Sequence, residues 1–166
     1  MTLEFLIELL LDGAFAAMAA VGFGSVSNPP LSALGAAALA GAAGHALRFY
    51  LINALHVHIT PASFLGALVV AVVAFLAAKR LHCTVEAICF PALLPMIPGI
   101  PAYKTMLMLV KFMRCTDPEQ AQLYLLAVFQ NGFTALFVLS ALVAGMLIPM
   151  MLLQEKSHCM TRGWRP

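Results

Sequence analysis

Pro91-Ala92-Leu93-Leu94-Pro95-Met96-Ile97-Pro98-Gly99-Ile100-Pro101-Ala102-Tyr103-Lys104 sets four prolines and a glycine inside an otherwise apolar stretch. Each proline removes a backbone donor and crowds the carbonyl four residues earlier, so the segment cannot run as one continuous helix. In lipid, non-helical backbone is tolerated only where protein buries it or water-filled space solvates it. The cut ends of a broken helix leave unpaired N–H and C=O groups, which transporters aim at substrates and ions. Two readings stand side by side. The break is a passageway or binding site between Pro95 and Lys104, or it is a re-entrant hairpin or capping loop that holds no ligand.

The composition makes the membrane setting compelling. Hydrophobic residues form 63% of the chain and charged residues 10%, with a mean hydropathy of +0.97. No ordinary soluble domain of this size needs so much apolar material for one core. The apolar segments leave room for one bundle, assigned to residues 1–153, and a short polar, basic tail over residues 154–166. Glu4, Glu8 and Asp12 stand where a cleaved leader needs a basic flank, so no leader is expected. The net charge of +2 gives no reason to expect a nucleic-acid partner.

Cys83, Cys89, Cys115 and Cys159 form no C-x-x-C pair and no zinc spacing, and read as free thiols. His56-Val57-His58 lacks a nearby carboxylate or third ligand and reads as a polar connection rather than a metal site. There is no nucleophile elbow, phosphate-binding glycine loop or H-E-x-x-H, so neither an enzyme nor a cofactor is expected.

Five apolar spans can be drawn, giving an all-α polytopic bundle. The first runs from Leu3 to Val26 and ends at Ser27-Asn28-Pro29-Pro30; the second, from Leu31 to Ala54, is rich in Ala and Gly. Thr60-Pro61 opens the third, which continues uncharged to Ala78 and covers roughly 27 Å, close to the hydrocarbon thickness. The fourth, Thr84 to Met113, holds the proline–glycine break. Thr116-Asp117-Pro118-Glu119 caps the start of the fifth, which reaches Leu153 and is longer than a perpendicular crossing requires. With five crossings, Lys79, Arg80, Lys156, Arg162 and Arg165 share one side, and Lys111 and Arg114 the other. The positive-inside rule then predicts a cytoplasmic C-terminus and places the acidic N-terminus outside.

Polar residues inside the spans are the candidate functional groups. Glu4, Glu8 and Asp12 follow one stripe of the first helix, either as a solvated entrance face or as a proton or cation relay whose deepest member is Asp12. In the second span Gly41, His45, Arg48 and Ile52 share a face, and Ala37/Gly41 and Ala40/Gly44 have the spacing that lets helices approach closely. His45 lies about 21 Å from the start of its span. Histidine is the side chain that changes charge near neutral pH, and arginine binds carboxylates bidentately. His45 and Arg48 therefore read either as groups lining a polar cavity or as a structural His–Arg contact. Lys104 is a second cation for an anion, or a snorkelling lysine. Gln130 and Asn131 read as inter-helix hydrogen-bonding residues.

Three local patterns occur in order: Gly22-Phe23 leading to Asn28-x-Pro30, Gly44-His45-x-x-Arg48, and Pro95-x-x-Pro98-Gly99-x-x-x-Tyr103. Together they resemble the threonine/serine exporter family, in particular the small membrane subunit of its split, two-chain form. The resemblance covers Phe5 to about Leu152, and the proline–glycine–tyrosine pattern is its most specific part. It implies a larger membrane partner of the same family and export of a small metabolite: succinate for the bacterial pair with this kind of subunit, threonine and serine for fused members. Pro101 and Lys104 depart from the pattern, and a cation beside the break would bias the site toward anions.

The sequence thus leads to one subunit of a two-component secondary transporter exporting a small carboxylate, a dicarboxylate such as succinate, by alternating access around the broken helix. Substrate-pathway candidates are Arg48, Lys104, Pro98, Gly99 and Tyr103; coupling candidates are Asp12 and His45. Threonine or serine export, and a non-transporting partner that stabilises the larger subunit, remain open.

Overall fold

The computed structural model describes residues 3–26 and 30–161, with side-chain surroundings up to residue 152. The described residues form helices joined by short connections, with no strand among them. Helix α1 is Leu3–Val26, α2 Leu31–Asn53, α3 Ile59–Leu81, α4 Val85–Leu93, α5 Gly99–Arg114 and α6 Pro118–Thr161.

The boundaries follow local chemistry. Pro30, extended at φ −55° and ψ 140°, precedes α2, and its carbonyl accepts from the Ala33 N–H at 2.8 Å. His58 caps α3, its ring nitrogen accepting from the Thr60 N–H at 3.3 Å, so one half of the His56-Val57-His58 connection has a structural role. Lys79 and Arg80 occupy the last turn of α3, where cations complement the helix dipole, and His82 stops it in the left-handed conformation at φ 54°. Asp117 Oδ1 accepts from the Glu119 N–H at 3.1 Å and starts α6, the cap that Thr116-Asp117-Pro118-Glu119 encodes. α6 continues to Thr161, through the first part of the basic tail; Arg162 and Arg165 lie outside the described residues.

The break is narrower than the proline count suggests. α4 runs through Pro91, tightens to a 3-10 turn over Leu94–Met96, and only Ile97 and Pro98 leave the helical path before α5 begins at Gly99. Pro101 falls in the first turn of α5, where its missing donor costs no hydrogen bond. Tyr103 and Lys104 are accordingly inside a helix, not in an unwound loop.

The chain divides into two compact units, Met1–Met96 with Ala141–Pro166, and Ile97–Ser140. In the first, α2 is central and receives α1, α3 and α4. It can do so because the buried face is built of Ala33, Ala36, Ala37, Ala40, Gly41 and Gly44, as the small-residue spacing predicts. At the α2–α3 crossing, a Cβ on Gly44 would lie 2.9 Å from the Gly66 carbonyl, so only glycine admits this approach. Gly145 of α6 meets α3 in the same way, 2.6 Å from the Phe64 carbonyl. Phe5 closes one end of the α1–α2 pair against Phe49 and Tyr50, with ring centroids 5.8 and 6.3 Å apart.

Among the described residues, three helices are long and apolar enough to cross a membrane: Leu3–Val26, Ile59–Leu81 and the Pro118–Leu152 part of α6. A fourth is reached if Val85–Met96 and Gly99–Arg114, a bent pair, make one broken span. The sequence predicts five. The shortfall is α2, whose 23 residues have the length but whose alanines, glycines, His45 and Arg48 lower its hydropathy. A helix surrounded by other helices does not need the leucine-rich surface that lipid demands.

The second unit pairs α5 with the first part of α6. Asn131 Nδ2 donates to the Ala127 carbonyl at 2.8 Å, and Thr134 and Ser140 bond carbonyls one turn back. The side chain of Asn131 is thus engaged by its own helix rather than across helices, as the sequence had suggested. Phe129, Phe133 and Phe137 stack along an exposed face at 5.9 and 6.2 Å, an apolar stripe suited to lipid.

Candidate functional site

Three of the polar residues singled out by the sequence converge within the first unit. α1 carries Asp12 beside Gly13, whose bare backbone rests against Ala42 and Ala46 of α2. This close seating brings Asp12 to His45, and His45 Nδ1 stands 2.5 Å from Asp12 Oδ2. Both side chains are about four-fifths buried, with 18% of His45 and 25% of Asp12 exposed, which places the pair in a partly desolvated setting. Glu4 and Glu8, the other members of the acidic stripe, are exposed.

One turn further along α2, Arg48 Nη1 donates to the Met96 carbonyl at 2.8 Å. Met96 ends the 3-10 turn before the break, where helix carbonyls have no partner of their own. Gly66 of α3 makes the seat possible: a Cβ there would lie 2.6 Å from the Met96 methyl and 3.5 Å from Arg48 Cβ. One turn apart on α2, His45 and Arg48 thus hold a carboxylate of α1 and the cut end of a broken helix.

Of the two readings the sequence leaves open, a direct His45–Arg48 contact is absent among the described residues. His45 bonds Asp12 rather than Arg48, and Arg48 holds a backbone carbonyl. The i, i+3 spacing of His45 and Arg48 placed them on one face correctly, but spacing within one helix cannot name partners on others. Pro98, Gly99, Tyr103 and Lys104 belong to the second unit; Pro98 is buried, whereas Gly99, Tyr103 and Lys104 are exposed. Cys83, Cys89 and Cys115 are free thiols, and the described residues include no group of metal-ligating side chains. Cys159 lies outside the residues whose side chains are described.

The one functional group outside the sequence reading is the Met96 carbonyl. Its signal was present in the prolines that follow it, since an interrupted helix must leave acceptors at its cut end.

Comparison with known proteins gives the cluster a family context. The sequence profile described as "Threonine/Serine exporter, ThrE" matches residues 12–152, which spans Asp12, His45, Arg48 and the break. A protein of Haemophilus influenzae described only as uncharacterized is 32% identical over 145 residues, 87% of this chain. The match covers 48% of that relative, so the chain spans about half its length. No solved structure matches the chain. By the extent of the profile match, the chain is a member of the threonine/serine exporter family.

Proposed function

We propose that this chain is the small subunit of a two-chain inner-membrane exporter for a small carboxylate metabolite, a dicarboxylate such as succinate, and that a larger membrane subunit of the same family completes it. The single observation that carries the reading is the arrangement around α2, where His45 bonds Asp12 and, one turn on, Arg48 donates to the Met96 carbonyl at the cut helix end. Asp12 and His45, bonded to one another between α1 and α2, are the coupling candidates. Arg48 supplies the donor fork for a substrate carboxylate, in exchange for the Met96 carbonyl. Lys104, exposed in the first turns of α5, and Pro98, Gly99 and Tyr103 are further pathway candidates within the second unit.

Two observations support a larger partner. The Haemophilus relative extends well beyond the matched part, as expected if a longer chain carries both halves covalently. α5 has no buried residue along its 16 residues and exposes Ile100, Met106, Val110 and Met113. In this reading α2 is the central fifth crossing and the C-terminus is cytoplasmic.

The family description favours a second substrate reading, threonine or serine. For such a zwitterion Asp12 would accept from the ammonium while Arg48 holds the carboxylate. Both readings meet one experiment: efflux of succinate and of threonine from cells expressing this chain alone, the larger family subunit alone, and both. Succinate efflux that requires both chains and is lost in Arg48→Ala is the expected result. Threonine efflux with the same dependence selects the second substrate. Efflux by the larger subunit alone, unchanged by this chain, reduces it to a stabilising partner; equal transport by the isolated chain in vesicles replaces the pair with a homo-oligomer.

A further inference from the structure

An open pocket of about 590 Å³, lined by none of Asp12, His45 and Arg48, lies at the α5–α6 turn of the second unit. Lys111 and Arg114, three residues apart on the last turn of α5, both line it. Cations at a helix C-terminus are favourable for the dipole alone, and an interfacial anchor needs nothing more. Lys111 does more than project into water. Lys111 Nζ sits 5.9 Å from the centroid of Tyr124 on α6, held against the opposite wall by its attraction to the ring.

Thr116 and Gln120 add neutral hydrogen-bond donors to the same wall. The one carboxylate lining the cavity is Asp117, and its Oδ1 is occupied by capping α6 at the Glu119 N–H. Two cations therefore face one engaged carboxylate, which leaves the cavity an excess of positive charge. Leu107 and Val110, about one helical turn from Lys111 and Arg114 respectively, make the remaining wall apolar.

The outer faces of the same helices expose Met106, Met113 and Leu123. The cavity thus joins a cationic, hydrogen-bonding end to an apolar end at the mouth of a helical hairpin. A small soluble anion would leave Leu107 and Val110 unused. A zwitterionic headgroup would bring its own ammonium against Lys111 and Arg114. We propose that this cavity binds the phosphate-bearing headgroup of an acidic phospholipid, with Lys111 and Arg114 on the phosphate and Leu107 and Val110 along the start of the acyl chains. The proposal does not depend on what the chain exports.

Cys115 provides a local reporter, because it lines the cavity with its Sγ donating to the Asp117 carbonyl at 3.3 Å. The full chain in nonionic detergent is treated with a thiol alkylating reagent, and labelling of Cys115 is followed by peptide mass analysis. Phosphatidylglycerol, phosphatidylcholine or inorganic phosphate is added in parallel. Phosphatidylglycerol should slow alkylation of Cys115 several-fold, less so at high salt. Lys111→Gln combined with Arg114→Gln should abolish that protection, and Lys79→Gln with Arg80→Gln should leave it intact. Equal protection by phosphatidylcholine, equal protection by inorganic phosphate alone, or protection that survives loss of both cations overturns the assignment. Should the double variant lose its helical circular dichroism, the comparison of the two lipids on the unaltered chain decides alone.

Discussion

At the residue scale, the Asp12–His45 bond joins two helices through groups that lipid would exclude singly. Removing one partner leaves the other half-buried and unsatisfied, a cost of about 1–3 kcal/mol. Asp12→Asn and His45→Gln should each lower the thermal stability of the purified chain, and the double variant should lose less than the sum. Additive losses would show that the two side chains do not interact. Arg48 stands one turn further along α2 and holds the Met96 carbonyl. A lysine there keeps the charge but loses the planar fork, so Arg48→Lys is not a conservative change. If the contact with substrate is direct, Arg48→Ala weakens apparent affinity roughly tenfold or more, since a charged hydrogen bond contributes ~1.5–3 kcal/mol.

At the scale of elements, close helix approach is what glycine permits here. Gly44 and Gly66 face one another across α2 and α3, and a Cβ on either would lie 2.9 Å from the carbonyl of the other. Backbone cannot yield as a side chain can. Gly44→Ala is expected to destabilise by about 1–3 kcal/mol, the usual range for overpacking a tight contact. Gly35 provides the contrast, because a Cβ there meets nothing within 4 Å. Gly35→Ala should be neutral or stabilise by up to ~1 kcal/mol through helix propensity. Thermal unfolding of both variants in detergent checks the pair, and a similar loss at both positions would count against the α2–α3 crossing. The broken helix obeys a related logic: Met96 gives its carbonyl to Arg48 because the chain leaves the helical path at Ile97 and Pro98.

At the scale of the whole molecule, the number of crossings decides the sidedness of every charge. If α2 crosses and the bent pair counts as one span, the total is five and the two chain ends face opposite sides. A reporter fused after Arg165 should then read as cytoplasmic, and one placed at the N-terminus as periplasmic. The same side for both ends would mean that α4 and α5 enter and leave together, or that α2 does not cross. Much of the apolar surface is exposed, including Leu3, Leu10 and Val26 of α1. Such a surface suits lipid or a second bundle, and it has no place against water.

The sequence by itself determined the helical, membrane-embedded class, because hydropathy and proline placement act locally and need no partner to be read. It also located Asp12, His45 and Arg48 as out of place among apolar residues, and Ala37, Ala40, Gly41 and Gly44 as a face for close packing. It misjudged the extent of the break, since Pro91 and Pro101 are absorbed within helices α4 and α5 and only Ile97 and Pro98 depart. Partners were decided by tertiary structure alone. His45 and Arg48 share one face of α2, yet one turns to a carboxylate on α1 and the other to a carbonyl at the end of the 3-10 turn. Helical periodicity fixes the direction in which a side chain leaves its own helix; which helix stands in that direction depends on how glycines and alanines let α1, α3 and α4 close around α2.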